Sequence, residues 1–564
     1  MSSRGTVMTM KSDAVTREVE PCFIPASSRD NSLVARLAKR AHREPLALLG
    51  AATASGVLWF IACPDFDLWP LAWVAMAPAL FAIERASTLR RAITLSWWAG
   101  FVGNAGGFYW VIGLLERFGD MPMAAAAALF VLLCSYQALR FLLFGLLFRT
   151  IRNRTNLPAS LLAPAAMVTA ELCLPFVFPY YLGFTQASQP AVIQIADLTG
   201  PLGVTALLLM INGALYDLAA GGARRPAAAA VSACILLAAL GYGHLRIRQF
   251  ADLRAISPKV KVGVVQPNVA AYSDGGLAGG TASERLADLQ KQSARLEADG
   301  AELIVWTETI YPSIISRQTP GDWHETHPLR IRRGFTTPLI FGAMTGDGRA
   351  DGGAYNSALL LDRAGNFSSR YDKNNLLMFG EYVPWLDKFP SLREYLPRAA
   401  GRYKPGSGVS EITFQTADGR AWRVGPMICL EDILPSHGRQ IAKLRPHLLI
   451  NITDDSWFGH TSEPSQHLAL SVFRSVELRT DMVRAVNPGI SAFVDATGRV
   501  HAQTLSVDAV GGAGGAESML AEVALVEGGH TVYAAVGDLF GYISLAVTLY
   551  LWLVLPRLRW RKSV

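Results

Sequence analysis

Seven apolar stretches crowd the first half of the chain, at about 45–63, 68–83, 92–115, 121–148, 157–178, 198–218 and 226–244. An eighth stands apart, at about 536–556. A helix needs roughly 20 apolar residues to span a bilayer, and several of these stretches reach that length. The second is short, and the fifth is interrupted by Glu171, Pro175 and Pro179. A charge facing lipid is costly, so Glu171 is expected to face either the helix bundle or the exit of its helix. The chain is 51% hydrophobic and only 17% charged, against about 25% charged in soluble domains. A membrane protein with about eight helices follows.

The basic residues test that division. Arg85, Arg90 and Arg91 lie between the second and third stretches. Arg149, Arg152 and Arg154 lie between the fourth and fifth, and Arg224 and Arg225 between the sixth and seventh. The tail after the eighth reads RLRWRK. The alternate loops, PDFD and ERFGD, are poor in base. Positive charge marks the cytoplasmic side. Residues 1–44 are therefore expected to be a cytoplasmic tail, 45–244 a seven-helix domain, 536–556 a last helix and 557–564 a basic cytoplasmic tail. Residues 245–535 are then left outside. The net charge of +7 is not gathered into long basic runs, which argues against a nucleic-acid partner. The six cysteines form no CxxC or Cys/His cluster, so no metal and no cofactor is expected.

The outer segment reads differently. KVKVGVVQPN (259–268), ELIVW (302–306), PLIFGAM (338–344), NSALLLD (356–362) and HLLINIT (447–453) are apolar strands. ASERLADLQKQSARLEADG (282–300) is an amphipathic helix. SEPSQHLALSVFRSVELRTDMVRA (462–485) is expected as one long helix, followed by a hairpin over 489–500. Strands alternate with helices and then pair, which predicts an α/β domain with two sheets between helices. Within it, AWRVGPMICLEDI (421–433) reads as a strand that stops at a sharp turn and opens a helix. Such a turn presents Cys429 as a nucleophile, with helix N–H groups favouring the thiolate. The same stretch also fits a small buried thiol.

Two further residues follow apolar strands: Glu308 in WTETIYP and Lys373 in YDKNNLLMFGEYVP. In layered α/β folds, strand ends on one edge collect catalytic groups. Together the three make an acyl-transfer set. Glu308 is a base for the thiol, Lys373 supplies charge to the oxyanion and lowers the thiol pKa, and Cys429 attacks. Taken singly, Glu308 and Lys373 also fit ordinary surface charges.

The order Glu, Lys, Cys in WTETIYP, YDKNNLLMFGEYVP and ICLEDI resembles the nitrilase (carbon–nitrogen hydrolase) superfamily. With the flanking apolar stretches, residues 45–556 resemble the apolipoprotein N-acyltransferase family within it. FGEYVP, NITDDSWFG (451–459), RAVNPGISA (484–492) and TVYAAVGD (531–538) carry that resemblance. It implies a nitrilase-like αββα sandwich for the outer domain. It implies that Glu381 supports the triad, that Glu431 lies beside the nucleophile, and that Asn451 and Trp457 shape the pocket. Leu430 stands beside Cys429 where the family often has an aromatic residue, and Asp454 replaces a common asparagine. The segment 374–396 is rich in large apolar residues, Phe379 and Trp385 among them, and is expected to be a lid over the substrate.

The resemblance implies a multi-pass protein of the bacterial inner membrane with its catalytic domain in the periplasm. The expected reaction moves an acyl chain from a membrane phospholipid, through a thioester on Cys429, to the N-terminal amine of a diacylglyceryl-cysteine lipoprotein. The alternative is a membrane-tethered amidase or nitrilase that uses water.

Overall fold

The computed structural model describes residues 29–221, 225–269, 281–346, 353–378, 380–383, 388–389, 391, 403–504 and 517–554, with side chains from residue 44 onward except Phe118. It divides into a short N-terminal unit, Met1–Ala47, and a main unit, Leu48–Val564. The described part of the first unit is helical.

In the main unit, each apolar stretch is helical. Four helices among the described residues are long and apolar enough to cross a membrane: Glu44–Ile61, Met123–Arg154, Pro201–Ala220 and Arg225–Ile256. Ala159–Cys173 and Leu539–Val554 are apolar and shorter. The second stretch breaks into a 3-10 turn, Trp69–Leu71, and two short helices, Ala72–Ala75 and Ala77–Arg85. Glu171 is buried as expected, and its Oε1 accepts the Leu182 backbone N–H at 3.0 Å. The Arg225–Ile256 helix runs through the expected boundary at 245. Its polar end is held by Arg246 on Asp197 and Arg254 on Asp481.

The strands between residues 259 and 524 form a sandwich of two sheets. The first contains β1 (Lys259–Gln266), β2 (Leu303–Trp306), β3 (Ile315–Ser316), β4 (Leu339–Gly346), β5 (Tyr355–Leu361), β6 (Phe367–Asp372) and β13 (Glu517–Ala524). Its order is β13-β1-β2-β4-β5-β6, with β3 beside β4. The second contains β7 (Ile412–Gln415), β8 (Ala421–Ile428), β9 (Leu448–Thr453), β10 (Met482–Val486), β11 (Ala492–Val494) and β12 (Val500–Gln503), in the order β12-β11-β10-β9-β8-β7.

The pleat explains the layers, because alternate side chains face opposite sides of a sheet. Val260, Val262 and Val264 of β1 join Leu448, Ile450 and Ile452 of β9 in the core between the sheets. Val265, Ile304 and Trp306 face the other way, onto Leu286, Leu289 and Leu296 of the Ala282–Ala298 helix. Helices Pro435–Ala442 and Glu463–Leu478 cover the second sheet through Ile441, Leu468 and Phe473. This is the expected αββα arrangement.

One expected element is overturned. The long helix over 462–485 is two elements, a helix ending at Leu478 and the central strand β10. Arg479 takes a left-handed conformation, φ +58°, and stops the helix. Its guanidinium is buried against Asp197 and Gln194, which holds a non-glycine residue in that conformation.

The same contacts tie the sandwich to the helices. Residues between 182 and 204 contribute Phe184, Val192, Ile193 and Val204 to the core that also contains Met427, Leu449 and Phe473. Phe458 of the sandwich domain packs in the helical core with Phe108, Trp110 and Tyr180.

Candidate active site

Glu308 lies two residues beyond β2, at a turn pressed against β4. Gly342 donates its N–H to Thr307 O at 3.1 Å and accepts Tyr311 N–H at 3.2 Å. A Cβ on Gly342 would stand 2.6 Å from the Glu308 Cα and 2.5 Å from the Thr309 N. Only glycine permits that approach. The Glu308 carboxylate is 6% exposed and fully engaged. Its Oε1 accepts Asn356 Nδ2 at 2.6 Å and Lys373 Nζ at 3.3 Å, and its Oε2 accepts the Asp454 N–H at 2.9 Å.

Lys373 follows β6 and is 1% exposed. Its ammonium also donates to Glu381 Oε1 at 2.9 Å. Glu381 accepts Asn356 Nδ2 at 3.2 Å and the Leu377 N–H at 2.9 Å. One ammonium is therefore shared by two carboxylates, and Asn356 bridges the same pair. Burial opposes the Lys373 charge, but the negative charge that can form at Cys429 and the carboxylates of Glu308 and Glu381 hold its pKa well above the ordinary lysine value.

Cys429 follows the last residue of β8 and has a left-handed φ of +54°. The strand continues as a 3-10 turn, Cys429–Ile433, and the α-helix begins only at Pro435. A helix dipole fades within its first turn, so the expected stabilisation of a thiolate at a helix N-terminus does not apply. The expected fall in thiol pKa is also reversed. Lys373 pulls it down, but burial and the carboxylates of Glu308, Glu381 and Asp455 hold it well above the usual cysteine value. The resting thiol is protonated, and its proton needs an acceptor. Burial likewise raises the Glu308 carboxyl above its ordinary value; Lys373 opposes that shift and Glu381 adds to it.

Glu431 is fully buried and anchors the turn from both sides. Its Oε1 accepts the N–H groups of Asn374 and Asn375 at 2.8 and 3.0 Å; its Oε2 accepts the Ile428 N–H at 2.9 Å and the Tyr371 hydroxyl at 2.8 Å. It fixes the Lys373 loop to the Cys429 turn. Asn451 of β9 donates to the Cys429 carbonyl at 3.1 Å. Leu430 packs on the shared core below the second sheet, and Trp457 on the helical core. Phe379 and Trp385 lie outside the described residues. Asn356 had no sequence signal, since it opens a strand like many polar residues. The pairing of β5 with β6 is what brings it beside Lys373.

A buried carboxylate, a buried ammonium and a thiol stand at strand ends of this αββα sandwich, and residues 261–509 match the carbon–nitrogen hydrolase family. Residues 55–214 match the apolipoprotein N-acyltransferase N-terminal domain. The chain is 31% identical over 510 residues to the apolipoprotein N-acyltransferase of Geobacter metallireducens, covering 88% of this chain and 92% of that relative. It is 28% identical over 466 residues to that of Bdellovibrio bacteriovorus, covering 80% and 84%. It is 27% identical over 528 residues to that of Rhodopseudomonas palustris, covering 90% and 95%. The chain belongs to the apolipoprotein N-acyltransferase family, acyltransferases built on the carbon–nitrogen hydrolase fold.

Proposed function

We propose that this acyltransferase takes its acyl chain from a membrane phospholipid, carries it on Cys429, and delivers it to the N-terminal amine of a diacylglyceryl-cysteine lipoprotein. The observation that carries the reading is the dry Glu308–Lys373–Glu381 cluster beside the Cys429 turn, in a domain whose cores run into the apolar helices. A phospholipid leaves the bilayer at about 0.8 kcal/mol per CH₂ exposed, so a site rooted in apolar helices suits it.

Glu308 takes the thiol proton as Sγ bonds to the ester carbonyl carbon. Lys373 balances the negative charge on the carbonyl oxygen. The C–O bond breaks, and Glu308 returns the proton to the departing lysophospholipid oxygen. In the second half the acceptor amine attacks the thioester and loses a proton to Glu308. The C–S bond breaks, and the thiol is restored. Glu381 shares the Lys373 ammonium and holds it in place. Leu430, Asn451 and Trp457 would bind substrate, and Phe379 and Trp385 belong to the segment proposed to cover the acyl chain. The arginine-bearing loops would face the cytoplasm and the sandwich the periplasm of the bacterial inner membrane.

Intact-mass analysis of protein incubated with phospholipid and no acceptor tests the mechanism. One acyl chain is expected on the Cys429 peptide, removable by neutral hydroxylamine. Cys429→Ala should carry none, and Glu308→Gln should acylate at least about 10²-fold more slowly, the scale of a lost general base. An active Cys429→Ala protein would overturn the reading.

A further inference from the structure

Behind the nucleophile turn lies a second buried charge cluster that the reaction above does not use. His467, on the Glu463–Leu478 helix, is 5% exposed. Its Nε2 stands 2.9 Å from Asp432 Oδ1, three residues past Cys429. Its Nδ1 stands 3.1 Å from Asp455 Oδ1, in the loop that carries Trp457. Arg484 of β10 is fully buried and reaches the other oxygen of each carboxylate, Asp432 Oδ2 at 3.3 Å and Asp455 Oδ2 at 3.4 Å. Its third contact is to Ile490 O at 3.0 Å. Glu463 approaches His467 Nδ1 at 3.6 Å. Two cations therefore cross-link two carboxylates in a closed ring.

A neutral imidazole has one N–H and cannot donate to both carboxylates. With both carboxylates ionised, the ring geometry calls for the imidazolium. The surrounding charges agree: burial and Arg484 oppose the charged form, but Asp432 and Asp455 hold the His467 pKa up to about 10. Glu463 is held well above the ordinary carboxyl range, by burial first and then by Asp455, which leaves it protonated. Asp455, Glu463 and His467 also stand within metal-ligand reach of one another. Both His467 nitrogens are already committed to carboxylates, however, and the Arg484 guanidinium occupies the charge position that a cation would take.

We infer that His467 is a positioning residue, which with Arg484 clamps the Cys429 turn to the 454–459 loop and screens the thiol from the Asp455 carboxylate. Asp455 is one of the charges that disfavour the Cys429 thiolate. Neutralising it eases loss of the thiol proton to Glu308. The clamp is braced from the helical region as well. Gln466, next to His467, accepts Trp110 Nε1 at 3.3 Å and donates to Gly107 O at 3.0 Å.

The inference rests on Cys429 being the nucleophile, and its test is separate from the test of that reading. Full-length protein in detergent is alkylated with iodoacetamide across a pH series, and modification of the Cys429 peptide is followed by mass spectrometry. His467→Gln keeps a side-chain donor and loses the charge. It should move the alkylation midpoint upward by about one pH unit, a tenfold slower reaction at fixed pH. Asp455→Asn should move it downward, which decides the matter if His467→Gln does not fold. His467→Gln combined with Asp455→Asn should return it toward the parent value. Midpoints unchanged in the single variants, or a rise in Asp455→Asn, would overturn the clamp. An active Cys429→Ala protein would instead overturn the nucleophile assignment.

Discussion

Glu308 and Cys429 are both delivered by backbone that few side chains tolerate. Cys429 itself is left-handed, and so is Thr309 beside Glu308, with φ of +45°. Held strain of this kind is retained where the surroundings over-determine it. At Glu308 the determinant is Gly342. Gly342→Ala would put a methyl group 2.6 Å from the Glu308 Cα and push the turn outward. Overpacking of this type costs about 1–3 kcal/mol, and a displacement of about 1 Å at a catalytic group can cost 10²-fold. Gly342→Ala should therefore stay folded by circular dichroism while its Cys429 acylation rate falls about 10²-fold. At Asp454, burial raises the carboxyl to about 8, with Glu308 and Asp455 adding to the shift. A raised folded pKa gives stability that is full below the unfolded value near 4 and is lost as pH rises through about 8. Between those values the slope reaches about 1.4 kcal/mol per pH unit. Asp454→Asn should flatten the decline of Tm between pH 5 and 8. A parallel decline in both proteins would refute the buried proton.

At the scale of elements, the strands were legible because their apolar runs are short and bounded, and because alternate residues meet different cores. β1, β2 and β9 coincide with the runs read as strands to within one or two residues. The end of the Glu463–Leu478 helix was not legible. Its stop is Arg479, a long charged residue in place of the glycine that normally marks a left-handed cap. What holds Arg479 there is Asp197, nearly 300 positions earlier in the chain and invisible to any local pattern. Asp197 also receives Arg246 at 3.0 Å and the Tyr242 hydroxyl at 2.8 Å. Breaking a buried pair by removing one partner typically costs 3–5 kcal/mol. Asp197→Ala should lower stability by roughly that amount, read as a marked fall in Tm in detergent. A change below about 1 kcal/mol would mean that the pair is solvated, as surface pairs are. Glu308, Lys373 and Cys429 stood out in the sequence for a different reason: each follows an apolar strand, and strand ends collect in space what the chain spreads over more than a hundred residues. The raised pKa of the thiol was not legible, because it depends on burial and on how many carboxylates surround Cys429, and Asp455 arrives there through tertiary contacts.

At the scale of the whole molecule, the apolar stretches announce the helices but not how the sandwich is seated on them. The seat is built from pieces too short to carry a pattern, the Leu182–Gln186 turn and the Pro190–Ile193 and Ala196–Thr199 helices. Gln194 donates to Thr497 O at 2.8 Å, and Arg117 donates to Phe458 O at 2.9 Å beside the Trp110–Phe458 ring contact. With those ties the sandwich must lie on the side of the 174–200 segment and the Trp110–Gly119 helix. The arginine loops lie at the opposite helix ends: Arg152 pairs with Glu84, and Arg149 donates to Glu84 O and Ala86 O. If positive charge marks the cytoplasm, the sandwich faces outward. Ser368, exposed on β6, is a suitable reporter. A Ser368→Cys protein, in a background with the exposed Cys173 and Cys234 changed to Ala, should react with a membrane-impermeant maleimide added to intact spheroplasts. A second reporter at the exposed Arg90, Arg90→Cys, should react only after permeabilisation. The reverse pattern would place the sandwich in the cytoplasm and remove a lipoprotein on the outer membrane face as the acceptor. Reaction at both positions before permeabilisation would instead mean leaky spheroplasts, which labelling of a cytoplasmic protein in the same sample detects.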